Sequence, residues 1–507
     1  MAVARAWWPL ESALRRRRDA EVITGYYKSV GWNSLAQFGG QAINLGVLLV
    51  LTTELSPGVF GTFAATLFIV ALSGTLIEFG LLSGLIYQDS ISRLQKTGAA
   101  LLSSALLLVV WCGIGLGADV LSAWMKVEGA GQLAQLTLLG FALVPLSIGA
   151  DAQIRKNNQY RQLAIANISS VLLSGMVAIG CVYSGYTTWA LVAQFVVHNL
   201  TRSCLLFAQA PWVPKFGGLG AMFSTLRYSA KTTVSNAQTQ LSESVDTLIV
   251  SRLFGADGLG IYAIALRLAS YPLNKIKHII GMILFPAFVS VRDSNAALMN
   301  QSVEVRLNSL CWVSPLFVAI AVFSAHIETL YFHGQWQGVG ELISIMCVGF
   351  AIEMAFFGQP QLLQARGLLN QLNAAIAFQI VVFFMLAQAL APQFGLTAVA
   401  YALVLSRLGQ CAYLAVVASR TLNLSPVRFM APLARPFVTT LSLGLCGVVL
   451  WHMDISLSAF SVAFMLAATL VYAIQAYWFC RALPKAAISR YIVSVASALL
   501  RRGHGYE

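Results

Sequence analysis

The sequence predicts an all-α integral membrane protein of about fourteen transmembrane helices, organised as two parallel six-helix bundles plus two C-terminal helices. Three observations carry that expectation: composition, the placement of positive charge, and an internal repeat. Of 507 residues, 58% are hydrophobic and only 10% are charged, where a soluble domain needs roughly a quarter charged to cover its surface. In lipid the backbone must satisfy its own hydrogen bonds, so spanning segments are helices or closed barrels. The apolar runs here are of helical length, beyond what a barrel strand needs.

Taken in order, the apolar spans are 30–53, 58–86, 98–118, 131–152, 161–183, 187–208, 225–252, 258–289, 303–324, 338–364, 371–391, 395–418, 433–452 and 456–480. Positive residues then fall on alternate connections. Arg93 and Lys96 follow the second span, Arg155, Lys156 and Arg161 the fourth, and Lys215 and Arg227 the sixth. Arg292, Arg366, and Arg420 with Arg428 continue the series, and Arg481, Lys485, Arg490, Arg501 and Arg502 end it. The other connections hold Lys126 and Arg252 among acids such as Glu54, Asp119, Glu128, Glu328 and Asp454. By the positive-inside rule both termini lie in the cytoplasm and the number of spans is even. The net charge of +13 is therefore a topology signal and does not point to nucleic acid.

The organisation that follows is a basic cytoplasmic tail over 1–28, an N-terminal lobe over 29–210 and a cytoplasmic linker over 211–224. A C-terminal lobe over 225–420, two extra helices over 433–480 and a cytoplasmic tail over 481–507 complete it. Residues 1–28 carry Arg15 to Arg18 without the apolar core of a cleavable signal, which suits contact with anionic headgroups. The eight cysteines sit in apolar stretches and read as buried, reduced thiols. No spacing suggests a metal or cofactor site, and no loop is long enough for a catalytic domain.

The repeat relates Leu55-Ser-Pro-Gly-Val-Phe-Gly61-Thr-Phe63-Ala64 to Phe254-Gly-Ala-Asp-Gly-Leu-Gly260-Ile-Tyr262-Ala263, 199 residues later. A second pair, Gly185 to Ala190 and Gly395 to Ala400, is 210 apart. An offset of six spans preserves orientation, which makes this a parallel repeat with substrate expected between its halves.

Polar residues concentrate on repeat mates. The first span carries Asn33, Gln37, Gln41 and Asn44 at helical spacing. The seventh carries Lys231, Ser235, Gln238 and Ser242 on one face, with Asn236, Gln240, Glu243 and Asp246 beside it. The eighth carries Arg267, Tyr271, Asn274 and His278, with Lys275 and Lys277, and the second carries Thr62, Thr66, Ser73 and Glu78. Such groups are costly against lipid and are expected to face protein or a water-filled cavity. The alternative is interhelical hydrogen bonding, for which Asn, Gln and Ser are suited.

At these residues the sequence resembles bacterial oligosaccharide flippases, the polysaccharide-transport branch of the multidrug/oligosaccharidyl-lipid/polysaccharide (MOP) superfamily. The likeness lies in Leu55-Ser56-Pro57 with Phe60-Gly61, and in Asp246-Thr-Leu-Ile-Val with Gly255 and Gly260-Ile-Tyr262. Gly185 with Trp189-Ala-Leu-Val192, and Leu284-Phe-Pro286-Ala, add to it. The resemblance implies alternating access in the bacterial inner membrane for a polyprenyl-diphosphate-linked oligosaccharide repeat unit, with no cofactor. On it, Lys231 and Arg267, with Lys275, would counter the diphosphate. Asn33, Gln37, Gln41, Asn44, Gln238 and Asn274 would meet sugar hydroxyls, and Glu78, Glu243 and Asp246 are candidate coupling acids. Its partners would be the lipid-linked substrate and the bilayer, together with a polysaccharide polymerase and a chain-length regulator. Rival readings are a lipid-linked peptidoglycan precursor flippase, a multidrug exporter of the same superfamily, and a membrane polymerase using His326, Glu328 and His333.

Overall fold

The structure, a computed structural model, describes residues 39–88, 90–215, 219–332, 334–451 and 457–482, and every regular element among them is helical. Among the described residues ten helices are long and apolar enough to cross a membrane, or eleven if one bent pair is a single span. The expected number is higher for visible reasons. Part of the first span lies outside the described residues, and the apolar part of the last helix, Phe460–Gln475, is short. The seventh and eighth spans join in one 72-residue helix broken only at Gly255. Contacts divide the chain into two units, Met1–Gly260 and Ile261–Glu507.

The first unit opens with α1 (39–54) and α2 (Pro57–Glu78). Ser56 is extended and Pro57 occupies the first turn, where a missing N–H costs nothing. Phe79 and Gly80 are both left-handed, at φ 43° and 58°, and end α2 before the short α3 (Leu81–Tyr87). Helix α4 (Arg93–Met125) starts on a capping box in which Ser92 and Gln95 bond each other's backbone at 3.2 and 2.9 Å.

The fourth span is broken. It comprises α5 (Ala130–Thr137), a 3₁₀ turn Leu138–Phe141, and α6 (Val144–Lys156), bent by 49°. Pro145 stands in the first turn of α6, where its ring cannot continue the preceding helix. Helices α7 (Tyr160–Tyr183) and α8 (Thr187–Gln209) pack as a hairpin through Gly185 at φ 85°. Helix α9 (Leu219–Ser290) supplies its residues through Gly260 to this unit.

Charge placement in this unit follows the sequence reading. Lys96 donates to Gln153, Lys156 donates to the Gln88 carbonyl, and the Lys215 N–H donates to Thr97 Oγ1 at 2.9 Å. The connections after the second, fourth and sixth spans therefore meet at one end. Exposed Leu108, Val109, Leu116 and Val120 on α4 form an apolar face that suits lipid and would be untenable in water.

The turn pair of the repeat also meets. A Cβ on Gly61 would overlap the Ala256 carbonyl and lie 2.8 Å from the Gly260 nitrogen. A Cβ on Gly260 would overlap the Pro57 carbonyl and lie 3.0 Å from the Gly61 nitrogen. Since 57 and 256 share the 199-residue offset of 61 and 260, the contact maps onto itself and has a local two-fold axis.

In the second unit, α10 (Asn295–Asn308) passes through a π turn, Ser309–Val313, into α11 (Ser314–Tyr331). Pro315, which cannot donate to the ladder, is placed just where that turn ends. The tenth span is broken like the fourth. Helix α12 (Val339–Glu353) ends in a 3₁₀ turn, Met354–Phe356, and α13 (Gln359–Ala365) restarts after Gly358 at φ 82° with Pro360 in its first turn. Helices α14 (Leu369–Phe394) and α15 (Thr397–Thr421) form the second hairpin, through Gly395 at φ 57°.

The short α16 (Pro426–Met430) is tied down by fully buried Arg306, whose guanidinium lies 3.8 Å above Phe429 and donates to Met430 Sδ at 3.5 Å. Helices α17 (Ala434–Trp451) and α18 (Leu457–Ala482) follow. Gln475 bonds Thr439 and Thr440 across them at 3.1 and 3.0 Å, an amide used as interhelical glue.

Glu328, the residue nearest to a catalytic acid in the 325–337 region, serves as a latch. Its two oxygens accept the N–H groups of Gly338 and Gly340 at 3.0 and 2.6 Å and hold the start of α12. Glu328→Gln is expected to cost about 2 kcal/mol, because one of two charge-assisted bonds is lost and the other weakened. Thermal unfolding in detergent measures this, and an unchanged midpoint would show that the carboxylate carries no load.

Candidate functional site

The polar centre of the first unit is a cavity of about 420 Å³ lined from α2, α8 and α9 and from the break in the fourth span. Thr75 and Glu78 come from α2, Asn199 from α8, and Asn236 and Gln240 from α9, while Phe141 and Phe195 form an aromatic wall. Gly74 permits that wall, since a Cβ there would lie 2.9 Å from the Phe141 ring. The Phe141 and Phe195 ring centroids are 5.9 Å apart. Phe141 reaches the cavity because it ends the 3₁₀ turn that interrupts the fourth span.

Glu78 is the last residue of α2, at the negative end of the helix dipole, where a carboxylate is destabilised. Its side chain is exposed to the cavity, and no described donor bonds it. Nearby, Asp151 accepts Arg155 Nε at 2.5 Å and Arg202 Nη2 at 2.9 Å, and Arg202 Nε donates to Asn167 Oδ1 at 2.9 Å. Glu78 feels the charges of Arg202, Asp151 and Arg155, so two acids and two guanidiniums balance there.

The second unit has a parallel to this pair. Arg407 of α15 lies 3.7 Å from Glu353 at the break of the tenth span, with its guanidinium 5.1 Å from the Phe350 ring centre. In both units an arginine of the sixth helix of its half meets an acid of the broken fourth helix. A larger cavity of about 740 Å³ between α11, α12 and α17 is walled mainly by aliphatic residues such as Val318, Val322, Val348 and Leu441. Its most prominent acid, Glu328, is committed to the latch. Among the described residues no cluster of three potential metal ligands occurs.

A family model described as "Polysaccharide biosynthesis protein" matches residues 50–341. The chain belongs to that family. This polysaccharide biosynthesis protein has the fold of membrane transporters of the MOP superfamily. It is 23% identical over 321 residues to the lipopolysaccharide biosynthesis protein WzxC of Escherichia coli K12, covering 62% of this chain and 65% of that one. It is 24% identical over 346 residues to the succinoglycan biosynthesis transport protein ExoT of Rhizobium meliloti, covering 66% and 67%. The fold matches the lipid II flippase MurJ in an inward closed conformation with a TM-score of 0.70 at 14% identity, over 89% of this chain and 98% of that one. A multidrug resistance MATE transporter of the MOP superfamily, inward-facing, gives 0.57 over 79% and 95%.

Against this family background, the predicted site residues separate. Glu78 lines the cavity with Asn236 and Gln240, neighbours of the expected seventh-span face. Gln238 and Glu243 are exposed on α9, and Gln41 and Asn44 are half-buried on α1. Asp246 is buried, and its Oδ1 accepts the Thr247 N–H at 2.8 Å. Arg267 is exposed on α9 with Tyr271 one turn on. Lys231, Asn274 and Lys275 have helical backbone, and their side chains lie outside the described residues, as do Asn33 and Gln37 altogether.

Thr66 and Ser73 of the second-span stripe are buried and bond carbonyls, including those of Thr62 and Ile69 in their own helix. They are packing residues. Reasoning from sequence missed Thr75, Asn167, Asn199 and Asp151. Single polar residues in apolar helices give no periodic signal, and only Pro145 marked the break that brings Phe141 in.

Proposed function

We propose that this protein is a flippase of the bacterial inner membrane, moving a polyprenyl-diphosphate-linked oligosaccharide repeat unit outward by alternating access, with both termini cytoplasmic. The observation that carries this reading is the cavity lined by one carboxylate, three carboxamides and one hydroxyl inside a bundle of membrane-spanning helices. Polar groups at that depth mark a substrate pathway. Relatives named for lipopolysaccharide and succinoglycan biosynthesis supply the polymer class. Lys231 and Arg267 remain the cations assigned to the diphosphate, since phosphate recognition needs fixed positive charge. The six amides of the first, seventh and eighth spans remain assigned to sugar hydroxyls.

The test is complementation. Deletion is expected to accumulate lipid-linked oligosaccharide on the cytoplasmic leaflet and to abolish the surface polymer. Lys231→Ala and Arg267→Ala at normal expression are expected to leave less than about a tenth of the polymer, the effect of losing one charged hydrogen bond. Full restoration by both variants would remove the phosphate assignment. No accumulation on deletion would remove the flippase reading.

One observation favours a second reading, export of organic cations: Glu78 faces an aromatic wall formed by Phe141 and Phe195. Increased susceptibility to cationic dyes on deletion, with polymer unaffected, would select it.

A further inference from the structure

We infer that the first-unit cavity is a subsite for one uncharged pyranose ring, with Phe141 as its stacking platform and Glu78 as its principal hydroxyl acceptor. This rests on the flippase reading for its physiological ligand, but its chemistry stands on the cavity alone.

The hydrogen-bond inventory sets the ligand class. Asn199 Nδ2 already donates to the Phe195 carbonyl at 2.9 Å, and Gln240 Nε2 to Ser244 Oγ at 2.9 Å. Thr75 donates to the Ala71 carbonyl at 3.1 Å. What these three side chains leave for the cavity is three acceptor oxygens and one N–H each from Asn199 and Gln240, and Glu78 adds two acceptors with no described donor bonded to them. Asn236, bonded to no described residue, offers both donors and an acceptor. A ligand with several O–H donors and some acceptor oxygens satisfies this set, and a polyhydroxylated ring is such a ligand. The volume of about 420 Å³ lies within the range of small-molecule pockets.

The aromatic wall adds the second requirement. A pyranose carries axial C–H groups on one face, and these pack against the negative face of an aromatic ring. Phe141 is held for this by the break in the fourth span, by Gly74 and by Phe195. Discontinuous helices are where transporters of this kind place ligand sites.

Charge narrows the class further. Arg155 and Arg202 both donate to Asp151, and with Glu78 the network is formally neutral. A uronate would bring its carboxylate against Glu78, and among the described residues the two nearby guanidiniums are already engaged by Asp151. A permanently charged organic cation finds a carboxylate whose field Arg202 and Arg155 offset, and has no O–H groups for the remaining acceptors.

Saturation-transfer NMR on the purified full-length protein in nanodiscs tests this, with methyl glucoside, methyl galactoside, N-acetylglucosamine, glucuronate and tetraphenylphosphonium as probes. The expected result is transfer to at least one neutral pyranoside, strongest at the C–H face, and none to glucuronate. Phe141→Leu and Asn236→Ala are each expected to weaken that binding by about tenfold or more, while Gly113→Ala, at a glycine with open space, leaves it unchanged. Binding unaffected by both variants, binding of glucuronate or tetraphenylphosphonium in place of the pyranosides, or no binding of any probe would each overturn the subsite. The deletion phenotype is scored separately. Accumulated lipid-linked oligosaccharide without pyranoside binding defeats the subsite alone, and pyranoside binding without accumulation defeats the flippase reading alone.

Discussion

Gly61→Ala and Gly260→Ala are each expected to abolish transport and to lower the thermal unfolding midpoint, by nearly equal amounts. At both positions the added methyl would occupy the space of a backbone carbonyl, of Ala256 in one case and Pro57 in the other. A carbonyl cannot rotate away as a side chain can, so the two segments must separate. Overpacking in a tight core costs about 1–3 kcal/mol, and a backbone clash falls at the upper end or beyond. Equality of the two effects follows from the symmetry of the contact, because each glycine meets the repeat mate of the group that the other meets. Gly58→Ala should be milder, since its nearest neighbour is the Asp257 side chain at 2.7 Å. Gly113→Ala, with nothing within 4 Å, should be neutral or slightly stabilising, as alanine is favoured over glycine inside a helix. Melting curves in detergent for the four variants decide the matter. Equal curves for Gly61→Ala and Gly113→Ala would show that the segments do not meet.

The second large effect is expected at Asp151. Its side chain is 7% exposed and receives both Arg155 and Arg202. Asp151→Ala leaves two guanidiniums facing each other's charge, and breaking a buried pair costs about 3–5 kcal/mol. Arg155 and Arg202 retain 36% and 27% exposure, so water takes part of the load and about 2–3 kcal/mol is expected. Asp151→Asn, which keeps the acceptor oxygen, should cost about half. The paired change Asp151→Leu with Arg202→Met removes the buried charges together and should recover most of the stability. Transport should stay lost in that double variant, because Glu78 then keeps only Arg155 of the two guanidiniums that offset it. Recovery of transport along with stability would make the network purely structural.

Much of the fold is legible in local sequence. Ser56-Pro57 starts α2 as helix-entry chemistry requires, Ser92 and Gln95 cap α4, and Gly185 and Gly395 turn the two hairpins. The loops bearing Lys96, Lys156 and Lys215 meet at one end, as the charge alternation predicts. The breaks in the fourth and tenth spans are less legible. Residues 131–152 are apolar through their middle and 338–364 are apolar there except for Glu353, and a hydropathy pattern does not register a 3₁₀ turn. Only Pro145 and Pro360 signal the interruption.

The site was half visible. Glu78 announced itself as a charge within a span, because an unneeded carboxylate at that depth is too costly to keep. Asn199, Asn167 and Thr75 did not, because one polar group on an apolar helix is indistinguishable from a hydrogen bond between packed helices. Cys112 and Cys204 were expected to be buried with the other thiols and are exposed on helix faces. Residence in an apolar stretch does not say which face of the helix a residue takes.

By itself, then, the sequence determined that this chain lives in a bilayer, which loops share a side, and which turns are repeats of each other. Those are properties of composition and of short-range order along the chain, set by transfer from water to lipid and by backbone chemistry within a few residues. Tertiary structure alone decided that Gly61 meets Gly260, that Asp151 rather than Glu78 takes Arg202, and that Phe141 joins three carboxamides around one cavity. Those pairings join residues tens to nearly two hundred positions apart. They are selected by the packing of whole helices, for which no single segment carries the information.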